Sequence, residues 1–137
     1  MWRALAVVIL VAGCGGGAEL ASAEMALSTQ SGLSPSDIGA VELLVFDGAS
    51  AGCARVMTGS SPLDDATLLL VAHALFTIDG SGAPKHLAIP AGKPLDFYAE
   101  AFRSSAPDRV RIGRGCVSQT LAAGAAAVTI AISANDN

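Results

Sequence analysis

The residues able to do chemistry are few. Three cysteines, Cys14, Cys53 and Cys116, and two histidines, His73 and His86, are the chain's only thiols and imidazoles. Zinc sites draw on close cysteine pairs with further Cys or His ligands, and no CxxC spacing occurs here. His73 lies in an apolar run, where a lone histidine among Leu, Val and Ala reads as a core or edge residue making one hydrogen bond. His86 follows Lys85 near a turn and is expected to be exposed. Neither has an acidic neighbour at the spacing a copper or zinc cluster would need. Asp47, Asp64, Asp65 and Asp79 fall in different loops without the compact oxygen-rich string calcium prefers, so they read as solvated turn residues. Serines are plentiful, but the G-x-S-x-G elbow is missing. A cysteine–histidine nucleophile would need Cys53 or Cys116 free. The glycines of 13–17 lack the Lys-Ser/Thr of a phosphate loop. These residues point to no cofactor, no metal and no enzyme.

One concentration of positive charge stands out: Arg103, Arg109, Arg111 and Arg114. It could receive an anionic partner such as an acidic envelope protein or a glycan. It could equally be an arginine-decorated edge strand that resists edge-to-edge aggregation. The chain as a whole is acidic, with net charge −4 and a pI near 4.9. That balance excludes nucleic acid as a partner, because phosphate binding needs a basic field. It also argues against electrostatic attachment to anionic headgroups.

The chain opens with Met-Trp-Arg, then the apolar stretch 4–12, then Gly13-Cys14. One positive charge, a short apolar core and small residues form the pattern of an export signal. A membrane-spanning helix needs about 20 apolar residues, and the glycines of 15–17 stop this stretch well short. Val11-Ala12-Gly13-Cys14 resembles the bacterial lipobox, which implies that the Cys14 thiol is acylated and that residues 1–13 are removed. The bilayer would then be a partner through the acylated Cys14, and the location extracytoplasmic. Gly15 follows the cysteine where inner-membrane retention uses aspartate, so the resemblance implies the outer membrane if the organism has one. Two rival readings are ordinary secretion, with cleavage after Ala21-Ser22-Ala23, and a buried N-terminal helix.

Either route of export removes Cys14 as a thiol. Cys53 and Cys116 are then an even pair in an oxidising compartment, which predicts a disulfide between them. The closed loop of about 60 residues would contribute roughly 4 kcal/mol on the chain-entropy model.

Residues 14–36 are rich in glycine, serine and alanine and read as a flexible tether. From Ile38 onward, short apolar runs alternate with turn residues. Strands are expected at 41–46, 53–58, 67–78, 85–89, 95–102, 110–117 and 126–132, with a helix as the alternative for 67–78. In 95–102 the alternation places Leu95, Phe97, Ala99 and Ala101 on one face and Asp96, Tyr98, Glu100 and Phe102 on the other. Val128, Ile130 and Ile132 are expected inward, and Arg111 and Arg114 outward. The expected fold is all-β: a seven-stranded antiparallel Ig-like β-sandwich over 37–133, after a cleavable signal helix and the tether, with a tail at 134–137.

The stretch 85–102, followed by Gly115-Cys116-Val117 and residues 120–132, resembles Ig-like or transthyretin-like domains of bacterial envelope lipoproteins. The likeness lies in a strand, an Ile-Pro-Ala-Gly turn, an alternating strand and a closing Ala-Gly turn. It implies a non-catalytic structural or interaction module and carries no active-site residues. By analogy with Ig domains, Cys53 on the second strand and Cys116 on the sixth would face each other across the sheets. The Ig tryptophan is absent, since Trp2 lies in the leader. A carbohydrate- or small-ligand-binding module is the alternative function. It is disfavoured by an aromatic content of 4%, because sugar platforms use exposed Trp or Tyr.

Overall fold

The computed structural model describes residues 19–30, 32–49, 52–59, 61–78, 85–104, 106 and 110–134. Residues 1–18, which contain the expected signal and Cys14, lie outside these, as do Arg109, Asp79 and most of the 134–137 tail. Seven strands form: β1 Leu20–Thr29, β2 Ala40–Asp47, β3 Leu70–Thr77, β4 Lys85–Pro90, β5 Pro94–Phe102, β6 Arg111–Thr120 and β7 Gly124–Ala134. They make one sheet in the order β3-β2-β5-β6-β7-β1-β4, nearly closed into a barrel. Among the described residues no ladder joins β3 to β4, so this is the open seam.

The all-β expectation holds, and 67–78 is a strand. Three elements depart from the sequence reading. The first is β1. Residues 20–29 were expected as tether, yet they pair parallel with β7 from Ala21↔Gly124 to Thr29↔Ile132 and antiparallel with β4. The sheet is therefore mixed, not purely antiparallel. The period-two pattern here is carried by alanine: Ala21 and Ala23 are buried, while Ser22 and Glu24 face solvent. Alanine has low β-propensity and little bulk, so composition reads as linker where packing makes strand.

The second departure is 53–58. Its Cys, Val, Met and Thr suggest a strand, but Cys53–Val56 forms a single helical turn, here α1. Gly52 (φ 142°) and Gly59 (φ 81°) bracket the turn, and only Val56 in it is buried. The Ig-type placement of Cys53 on a strand is thus incorrect.

The third departure is β5. Alternation predicts one buried face, yet every residue from Leu95 to Phe102 is buried. The barrel interior takes Leu95, Phe97, Ala99 and Ala101, together with Val41, Leu43 and Val45 of β2, Ile89 of β4, and Val128, Ile130 and Ile132 of β7. The outer face of β2 and β5 is covered by the long connection 48–69, hereafter the strap. Val56 and Leu68 of the strap pack there on Leu44, Phe46 and Tyr98.

Between β6 and β7 the sheet turns a corner. The antiparallel ladder holds only Gly113↔Ala134 and Arg114↔Ser133. A Cβ on Gly115 would lie 1.9 Å from the Ala131 carbonyl oxygen. Glycine at this position permits the two backbones to approach that closely.

Candidate functional site

The richest polar arrangement lies under the strap, on the outer face of β5 and β6. Alternation sends Asp96, Tyr98 and Glu100 of β5 to that face, and the register sets them opposite Ser118, Cys116 and Arg114 of β6. A β-bulge near Phe102 brings Arg111 alongside. Asp96, Tyr98 and Glu100 are all buried.

Each group has a defined setting. Ser118 Oγ donates to Asp96 Oδ1 at 2.6 Å. The Arg111 guanidinium donates to Glu100 Oε2 at 2.8 Å, with both side chains largely shielded. Arg114 Nη1 donates to the Gly59 carbonyl of the strap at 3.0 Å. Cys53 of α1 is bonded to Cys116, with Sγ–Sγ 2.08 Å and Cα–Cα 5.7 Å. The predicted pairing is therefore present, but it ties the strap to the outside of the sheet instead of joining two sheets.

Two buried atoms are left without a hydrogen-bond partner among the described residues: Asp96 Oδ2 and the Tyr98 hydroxyl. Burial pushes the Tyr98 hydroxyl above its usual range. Arg114 opposes that shift and the nearby Glu100 reinforces it. For Arg111, burial works against the charge, but the hydrogen bond to Glu100 and the neighbouring Tyr98 outweigh it, so the guanidinium stays firmly protonated.

The three described arginines of the group, Arg103, Arg111 and Arg114, take separate partners. Arg111 and Arg114 face outward from the barrel, as expected, but spend their donors on Glu100 and the strap. Arg103, with its side chain 69% exposed, reaches Asp37 at 3.5 Å on the loop before β2. Arg109 lies outside the described residues. Both histidines face glutamates across the strands: His73 with Glu42 at 2.8 Å on the β2–β3 pair, and His86 with Glu24 at 3.5 Å on the β1–β4 pair. Asp65 is an organiser of the strap. It accepts from the Thr67 hydroxyl at 2.6 Å and from the Thr67 amide at 2.9 Å, and it pairs with Arg55 at 3.2 Å. The Thr67 hydrogen bonds hold its carboxyl below the usual range. Asp47 pairs with Lys93 at 3.6 Å. Among the described residues no three His, Cys, Asp or Glu side chains converge as a metal would require, and no helix is long and apolar enough to cross a membrane.

Chemically, the arrangement braces two strands and a strap. Ser118 has a carboxylate beside it, but both imidazoles lie elsewhere, on β3 and β4, so no histidine relays its proton. Alternation assigns Asp96, Tyr98 and Glu100 to the face opposite Leu95, Phe97, Ala99 and Ala101, but carries no sign that this face is buried as well. The signal lay in the cysteines. Cys116 shares its face of β6 with Arg114 and Ser118, so a bridge from the 48–69 connection must draw that connection over the same face.

The chain matches no protein-family model, no curated protein and no solved structure.

Proposed function

We propose that the protein is an extracytoplasmic lipoprotein, held on a membrane by acylated Cys14, whose barrel serves as a non-catalytic structural or interaction module. The observation that carries this reading is the position of β1. Secretion with cleavage before Glu24 would remove Leu20–Ala23, and with them two buried alanines and four register pairs with β4. Cleavage before Cys14 leaves β1 whole. The Cys53–Cys116 bridge adds support, because disulfides persist in oxidising compartments, and it leaves Cys14 as the one cysteine outside the bridge. The finer architectural reading, an Ig-like or transthyretin-like sandwich, rests on two strand groups, β3-β2-β5-β6 and β4-β1-β7, whose inner faces share one apolar core.

The test is the intact mass of the protein from the membrane fraction, alkylated with and without prior reduction. The expected species begins at Cys14, carries acyl groups, and takes up alkyl groups only after reduction, on Cys53 and Cys116. A soluble species beginning at Glu24 would overturn the anchor.

A further inference from the structure

We propose that the Cys53–Cys116 bridge is a redox latch: it opens and closes by thiol–disulfide exchange in the folded protein, and Ser118 with Asp96 carries the proton of the Cys53 thiol. This goes beyond the structural reading of the module and does not depend on the fate of Cys14.

Three observations meet at the bridge. Ser118 Oγ lies 3.5 Å from Cys53 Sγ and 2.6 Å from Asp96 Oδ1, so one hydroxyl touches both a bridge sulfur and a carboxylate. Asp96 is 1% exposed, and its other oxygen, Oδ2, has no hydrogen-bond partner among the described residues. Burying a carboxylate is costly unless its oxygens are satisfied. Fastening alone gives no reason to keep a half-satisfied one beside the bridge. The other charged groups around this face already have uses: Glu100 holds Arg111, Arg114 holds the Gly59 carbonyl, and Asp65 holds Arg55. Tyr98, opposite Cys116, keeps its proton because burial raises its pKa. Asp96 has, among the described residues, only the hydroxyl that meets the sulfur. The third observation is mobility in the fastening. Both cysteines are partly exposed. The Asp47 amide bonded to Leu69 and the Gly48 amide bonded to Pro94 hold the ends of the strap. Arg55 with Asp65 and Thr67, and Thr58 with Ala54, tie the strap to itself. It can therefore lift from the sheet as a unit.

In the open latch, the Cys53 S–H bond breaks as its proton passes to Ser118 Oγ, and the Ser118 proton passes to Asp96. Negative charge moves from carboxylate to sulfur, so the covered face gains no net charge. A thiol ionises unaided only near about pH 8.5, so the relay supplies thiolate at neutral pH. The Cys53 thiolate attacks an external disulfide, R–S–S–R. A Cys53–S–R bond forms, and the first R–S⁻ leaves with the electron pair and takes the proton of Asp96, handed back through Ser118. The Cys116 thiol then attacks Cys53 Sγ and restores the bridge, and its proton leaves with the second R–S⁻. Two electrons have passed from the cysteines to the external disulfide, which becomes two R–SH. An external dithiol opens the bridge by the reverse sequence.

The test reduces the native protein with dithiothreitol, removes the reductant, and follows closure in oxidised glutathione by alkylating the remaining thiols. Peptide masses assign the label to Cys53 and Cys116. The bridge is expected to open while the far-ultraviolet dichroism of the sheet persists. At neutral pH, Ser118→Ala and Asp96→Asn should each slow closure at least about tenfold, with the double variant no slower. Ser118→Thr, which keeps the hydroxyl, should close near the parent rate. Above about pH 9, where thiols ionise unaided, parent and variants should converge, whereas a lost structural prop would slow closure at every pH. Equal rates at neutral pH, or a gap that persists at high pH, overturn the relay. A bridge that dithiothreitol opens only with loss of the sheet signal overturns the latch. Asp96→Asn, nearly the same shape as the parent residue, decides the matter if Ser118→Ala does not fold.

Discussion

Removing the bridge by the double substitution Cys53→Ala and Cys116→Ala is the sharpest test of how the strap is held. The two cysteines lie 63 residues apart. Closing a loop of that length restricts the unfolded chain by about 4 kcal/mol on the entropy model. The strap has little else to offset the loss. Among its described residues, Val56 and Leu68 supply the buried apolar contact with the sheet, and the Arg114–Gly59 hydrogen bond is worth about 1 kcal/mol. With a urea dependence near 2 kcal/mol per molar, the unfolding midpoint should fall by roughly 2 M. The assay is urea denaturation followed in parallel by far-ultraviolet dichroism and by Tyr98 absorbance. Tyr98 is the only tyrosine and lies opposite Cys116 in the ladder. The expected result is a large midpoint shift, with Tyr98 becoming solvent-accessible before the sheet signal is lost. A loss under about 1 kcal/mol, or coincident transitions at an unchanged midpoint, would refute the view that the bridge is the strap's principal fastening.

Two further outcomes follow from single residues. The raised pKa of Tyr98 means that the folded protein holds the phenolic proton more tightly than the unfolded chain, whose value is near 10.0. Its stabilising contribution is complete below that pH and is lost as pH rises through the folded pKa. Urea midpoints of the parent should therefore decline more steeply above about pH 10 than those of Tyr98→Phe. Equal slopes would remove Tyr98 from the account. At the corner of the sheet, Gly115→Ala should cost about 3 kcal/mol or more, because the new methyl meets the Ala131 backbone oxygen and no rotamer relieves the clash. A midpoint within error of the parent would show that β6 and β7 can separate freely.

Six of the seven strands were legible, most plainly where their alternation is written in bulky residues. Val41, Leu43 and Val45, or Val128, Ile130 and Ile132, leave little choice about which face is buried. β1 was not legible because Ala21, Ala23 and Met25 write the same period in small or flexible side chains. Neither could the sequence say which neighbours β1 takes, since no local turn links it to β7 or β4. The turn at Cys53–Val56 shows the converse error: residues with strand propensity lie outside the sheet and take the conformation their flanking glycines and the bridge permit. For the candidate site, the disulfide was readable by counting cysteines, while the burial of Asp96, Tyr98 and Glu100 was not. One apolar face per strand is the default for an antiparallel sheet, and only the strap lying over β5 changes it. The arginine group was visible in the sequence as spacing, but spacing is silent about partners. Glu100 lies 11 residues before Arg111, and the Gly59 carbonyl 55 residues before Arg114.

The parallel ladder between β1 and β7 also governs the order in which the molecule can form. β1 has no neighbour near it in the chain. Its partners are β4, some 60 residues on, and β7, some 100 residues on. β4, in turn, has β1 as its one described ladder partner. The hairpin-like pairs β2–β3 and β5–β6 can close early over short separations, but the β4-β1-β7 half must wait until the last strand is available. Loop-closure entropy and a high share of distant contacts slow this step. Until it occurs, β1 offers unpaired backbone on the edge that β7 will take, even where β4 already covers the other, so the interval before β7 arrives is when the chain is most exposed to mispairing with another copy of itself.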